Sequence, residues 1–181
     1  GAVSSPGLSL ARRFSGVNGS GNGGSVSVDF NGAIQTVGAG AFGIFAQSVG
    51  GGGGFGGDAS GSFASSTSSG GSGRGGAVTV NQQGTILALG SGGIGIFAQS
   101  QGPSGSSAIN VTVGGTVYGD QRGGAGVLIS SGHDNSLTVT SSGFLSGNGG
   151  TAIRYQGDQS TSAGSVLNVY NYGTIFDDVI L

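Results

Sequence analysis

The chain has 181 residues, seven acidic and five basic, giving a formal charge of −2 at pH 7. Every acidic residue is Asp and every basic one Arg, with Arg12 and Arg13 the only adjacent basic pair, so the clustered cations that grip phosphate backbones are missing. Glu, Lys, Met, Cys and Trp are absent while Gly occurs 45 times, which excludes a helical fold and disulfide staples and leaves a β-rich chain with many turns.

Collagen is excluded too, because there is no Gly-X-Y period and only 2 prolines. No apolar run reaches eighteen residues, so no helix would span a bilayer. Gly1 does not open a secretory signal, since a charged start and an apolar stretch are lacking. The chain reads as an internal or processed piece, with further coils expected beyond the apolar end Phe176–Leu181.

Residues 1–25 read as the end of a preceding coil, with Leu8 and Leu10 inward, followed by a polar turn through Asn18, Asn22 and Gly24. Residues 26–181 read as repeated coils. Each unit opens with an alternating strand: Val26-Ser27-Val28, Val78-Thr79-Val80, Ile109-Asn110-Val111, Leu137-Thr138-Val139 and Leu167-Asn168-Val169. Strand side chains alternate between faces, so the aliphatics point inward while Ser27, Thr79, Asn110, Thr138 and Asn168 face water. A glycine then marks a corner (Gly32, Gly84, Gly115, Gly143, Gly173), at steps of 52, 31, 28 and 30 residues, before a second strand with Ile34, Ile86, Val117, Leu145 or Ile175 inward.

The third strand carries an intact repeat, Gly43-Ile44-Phe45-Ala46-Gln47-Ser48 returning as Gly95-Ile96-Phe97-Ala98-Gln99-Ser100. One of its columns reads Ile44, Ile96, Val127, Ile153; the next reads Phe45, Phe97, Leu128, Arg154. Burying an unpaired guanidinium costs several kcal/mol, so the column ending in Arg154 faces out and the isoleucine column faces in. Gln47, Gln99 and Gln156 then face out as well.

Self-similarity at a period near thirty means stacked supersecondary units. The expected fold is all-β, a right-handed parallel β-helix with three short strands per coil of about 30 residues. A β-sandwich would need hairpins and would not hold columns in register. The Gly/Ser-rich stretch 51–76 is read as a loop thrown out from the first coil.

Within that loop, Gly53-Gly54-Phe55-Gly56-Gly57-Asp58 resembles the start of a calcium-binding nonapeptide, but tandem copies are missing and Ser60 stands where an apolar residue is needed. Dinucleotide-type glycine patterns at Gly38–Gly43, Gly71–Gly76 and Gly90–Gly95 open no helix, so turn geometry explains them. His133 beside Asp134 reads as a solvated turn. Asp29, Asp120, Asp134, Asp158, Asp177 and Asp178 fall in different coils and turns, only Asp177 and Asp178 being adjacent and so facing oppositely, which argues against the grouped carboxylates of a polysaccharide lyase or hydrolase. No catalytic, cofactor-binding or metal-ligating residue is assigned. An ice-binding threonine array is disfavoured by the mixed outward columns. The candidate interaction stripe is the outward column Phe45, Phe97 and Leu128, apolar residues in register on the surface.

The run Gly43–Gly54, its echo at Gly95–Ser100 and the closing Asn171-Tyr172-Gly173-Thr174-Ile175 resemble proteobacterial autotransporter passenger domains, over about Ser25 to Ile175. The resemblance implies a β-helix displayed at the bacterial cell surface or secreted, tethered to an outer-membrane barrel in the full-length protein. It transfers no catalytic residue. The expected function is a structural or adhesive stalk with a surface, matrix or self-associating partner and no nucleic acid; the alternatives are a carbohydrate-active β-helix enzyme and a subunit of an extracellular filament.

Overall fold

The computed structural model describes residues 21–51, 55–57, 63–65, 71–157 and 165–181. Leu8 and Leu10, expected inward, lie outside the described residues, as do Asp58 and Asp158.

In chain order the strands are β1 (Val26–Phe30), β2 (Ala33–Thr36), β3 (Phe42–Val49), β4 (Phe55–Gly57), β5 (Phe63–Ser65), β6 (Val78–Gln82), β7 (Thr85–Ala88) and β8 (Ile94–Gln101). They continue as β9 (Ile109–Val113), β10 (Thr116–Tyr118), β11 (Ala125–Ser131), β12 (Asn135–Val139), β13 (Phe144–Gln156), β14 (Leu167–Asn171) and β15 (Thr174–Ile180). No helix occurs among the described residues, as the missing helix formers require.

One five-stranded sheet runs β1-β6-β9-β12-β14, and a larger one runs β2-β7-β10-β13-β11-β8-β3 with β15 also on β13. Both consist of parallel pairs. The long β13 joins the two arms of the larger sheet, its start pairing with β10 and its end with β11. The only antiparallel pair among the described residues is β4 with β5. That pair lies inside the stretch expected as a plain loop, whose ends belong to the packed body: Gly51, Gly73 and Gly75 are buried, and Gly75 N–H donates to Gly105 at 3.0 Å.

Inward columns hold across the chain. Ile34, Ile86, Val117, Leu145 and Ile175 are successive partners, as are Ile44, Ile96, Val127 and Ile153. Ile86, Ile96, Val117, Val127, Leu145 and Ile153 are fully buried in one apolar core. Each such side chain contributes roughly 1.5–3 kcal/mol relative to exposure. The corner glycines stack on backbone: a Cβ on Gly84 would run into the Gly32 carbonyl, and one on Gly115 into that of Gly84.

One column differs from the sequence expectation. Leu137 pairs with Val111 rather than Ile109, a shift of two residues that brings Asn135 into the Ile109 column. Asn135 is fully buried there. Its Oδ1 accepts from Ile109 N–H at 3.0 Å, and its Nδ2 donates to Ser131 O at 3.1 Å and Tyr155 Oη at 3.3 Å. A satisfied amide can occupy a core column where alternation alone calls for an aliphatic residue. Because the shift is even, Thr138 keeps its outward face.

Candidate interaction face

Each position of the repeated hexapeptide has a packing role. Gly43 and Gly95 turn their Cβ directions inward, where a methyl group would strike Ile86 or Val117 and the carbonyl of the glycine on the paired strand at 2.6 Å. Ile44 and Ile96 fill the core, and Ala46 and Ala98 follow inward beside them. Gln47 donates to Gln99 at 2.6 Å, and Gln99 donates on to Gln101 at 3.0 Å and Ser130 at 3.4 Å, a ladder on the opposite face.

The closing serine organises the turn into the next strand. Ser48 Oγ donates to Gly24 O at 2.7 Å and accepts from Gly76 N–H at 2.9 Å. Ser100 repeats this with Gly76 O at 2.8 Å and Ser107 N–H at 2.9 Å. Both are buried, so one hydroxyl satisfies two backbone groups that would otherwise lose water without replacement.

The predicted stripe exists as a column of which Phe45 is exposed and the other two members are covered. Phe45, Phe97 and Leu128 are successive partners, yet Phe97 is 5% and Leu128 7% exposed, against 38% for Phe45. Phe97 and Leu128 form a second apolar cluster with Ala125, against which Phe42 and Ile94 pack. The Phe42 ring meets Phe45 at 5.1 Å and Phe97 at 5.5 Å, both edge-on, geometries that aromatic quadrupoles favour. Strict alternation would put Phe42 and Ile94 in the core. Because the glycine and the isoleucine after it both point inward, the residue before the glycine swings outward and covers the stripe. The signal was present in the sequence as the spacing of three in Phe42/Phe45, Ile94/Phe97 and Ala125/Leu128.

Arg154, next in that column, stays half-buried on the outer side and donates to the Gly123 and Gly124 carbonyls at 3.2 and 3.3 Å. Its charge caps the turn that leads into β11.

The carboxylates are likewise held by turns. Asp120 accepts from Gly92 N–H at 3.0 Å and Arg122 N–H at 2.8 Å. Asp177 Oδ2 accepts from Ser146 Oγ at 2.7 Å, Gly147 N–H at 2.9 Å and Gly149 N–H at 3.2 Å. His133 Nδ1 lies 2.8 Å from Asp134 Oδ2, with both side chains half or more exposed. Among the described residues no three His, Cys, Asp or Glu side chains converge, and no helix is long and apolar enough to cross a membrane.

The outer face of the five-stranded sheet is different in kind. Its two outward columns read Ser27, Thr79, Asn110, Ser136, Asn168 and Asp29, Asn81, Thr112, Thr138, Tyr170. None of these ten is buried. Cross-strand bonds fix some of them: Asn81 Nδ2 donates to Asp29 Oδ1 at 2.7 Å, and Ser136 Oγ to Asn110 Oδ1 at 2.7 Å.

No protein-family model matches the chain, and comparison with curated proteins and with solved structures finds no match.

Proposed function

We propose that this chain is a right-handed parallel β-helix, with three strands to each coil of about thirty residues, and that it serves as a structural or adhesive stalk of a secreted bacterial cell-surface protein of the autotransporter passenger type. The observation that carries the reading is the like-on-like register: Ile34 on Ile86, Ile86 on Val117, Val117 on Leu145 and Leu145 on Ile175. Parallel strands that return after 52, 31, 28 and 30 residues build length along one direction, and length suits projection.

Low charge supports the same reading. With five Arg and no Lys, the chain offers few cleavage sites to proteases that cut after basic residues. Self-association belongs to the proposal, since parallel rungs pair readily with further strands.

Location is the test. Antibodies raised against the chain should label intact cells of the source bacterium as strongly as permeabilised ones, and external protease should remove the label. Labelling confined to permeabilised cells overturns the proposal. Sedimentation velocity across a concentration series checks self-association, and a single monomer peak throughout rejects that part.

A further inference from the structure

We infer that the outward face of the β1-β6-β9-β12-β14 sheet binds a neutral polysaccharide. This deepens the adhesive-stalk reading and rests on it for its setting, but the argument comes from the face itself.

Five rungs at about 4.8 Å place the first and last residues of each column roughly 19 Å apart. Nine of the ten outward positions are Ser, Thr, Asn or Asp, and the tenth is Tyr170. Hydroxyls and primary amides both donate and accept, as sugar hydroxyls do, so the array complements a polyhydroxylated chain in either direction of bonding. Repetition of the array along a straight line matches a ligand that itself repeats.

Charge selects among polymers. The face carries no basic side chain, and its one carboxylate, Asp29, already accepts from Asn81 at 2.7 Å. An anionic polymer would find no counter-charge and would meet that carboxylate. A neutral one meets no like charge. Tyr170, 49% exposed and in register with Thr138, adds a flat apolar ring with a polar tip at the end of the second column, the amphipathic kind of surface that a sugar ring's C–H face can stack on.

Pre-organisation favours binding as well. Asn81 and Asp29, and Ser136 and Asn110, are held by their mutual bonds, so less side-chain freedom is lost when a ligand settles. The other outer faces mix polar and apolar groups: one sets the Gln47–Gln99 ladder beside the Phe42, Phe97 and Leu128 cluster, and the other carries the packed rings of Tyr118 and Phe144, 5.3 Å apart.

The experiment is affinity electrophoresis of the 181-residue chain through gels holding dextran, a soluble β-glucan or a mannan, with polygalacturonate as the acidic comparison. At least one neutral polymer should retard the protein. Asn110→Lys, which plants bulk and charge mid-face, and Tyr170→Ala, which removes the ring, should each weaken that retardation at least fivefold. Gln35→Lys, on the exposed outer side of β2, should leave it unchanged. Circular dichroism confirms that each variant is folded; should Asn110→Lys fail to fold, Tyr170→Ala decides alone. The inference is overturned if none of the three neutral polymers retards the chain, if polygalacturonate alone does so, or if the folded face variants bind as well as the parent. Any of these leaves the surface-display reading standing, because cell labelling reports location and not ligand.

Discussion

The rings of Phe45 and Phe97 stack 4.8 Å apart and 17° from parallel, although 52 residues separate them. Their burial is unequal, at 38% and 5% exposed, and that inequality sets the first prediction. Phe97→Ala empties a closed site and should cost about 3 kcal/mol or more, in the range for buried aromatics. Phe45→Ala should cost clearly less. Urea denaturation of both variants checks the order, and equal losses would contradict the burial described.

The corner serine gives the second. Ser100→Ala leaves the Gly76 carbonyl and the Ser107 N–H without their shared partner and should destabilise the chain by about 1–3 kcal/mol, the penalty for unpaired buried groups. Ser136→Ala breaks a bond on the wet face and should change stability by no more than about 0.5 kcal/mol. Thermal melts monitored at the β-sheet signal distinguish them.

Glycines at corners should divide sharply by their surroundings. An added methyl on Gly84 collides with the Gly32 backbone, whereas one on Gly24 meets nothing within 4 Å. Gly84→Ala should therefore lose about 3 kcal/mol, the upper end for overpacking, while Gly24→Ala stays within about 0.5 kcal/mol of the parent.

The inserted stretch supplies a fourth. Removing residues 52–72 and joining Gly51 to Gly73 leaves seven residues between β3 and β6, the same number that lie between β8 and β9. The step from the first unit to the second then falls from 52 to 31, equal to the next. The shortened chain should fold with its parallel sheets intact and unfold cooperatively, because loop-closure cost changes only slowly with length, by about 0.6 kcal/mol per doubling. A loss of cooperative unfolding would show that the insertion is part of the framework.

Much of the arrangement is legible in the residues. Alternation and the constancy of Ile44, Ile96, Val127 and Ile153 give the inward columns, and the arginine at position 154 gives the outward one. Two features are not legible by alternation. Asn135 takes a core position because its amide satisfies Ile109, Ser131 and Tyr155 at once, a three-way arrangement that depends on groups distant in sequence. Phe42 and Ile94 change sides because the following glycine and isoleucine both face the core, a local break in the period of two. That same break covers Phe97 and Leu128 and leaves Phe45 the exposed member of the stripe; the polar face of the five-stranded sheet is the one the polysaccharide inference rests on. The sequence puts Thr138 in the column of Asn110; that Ser136 pairs with Asn110 and Thr138 with Thr112 needed the shifted register.

β13, Phe144 to Gln156, belongs to both arms of the larger sheet, and between them its register shifts where Asn148 and Gly149 take positive φ. A crack that freed β10 from the start of β13 would have to pass that turn before it reached the stretch that holds β11. Amide hydrogens on the two sides of that turn should then exchange with separable opening rates, Asn148 and Gly149 marking the boundary between them.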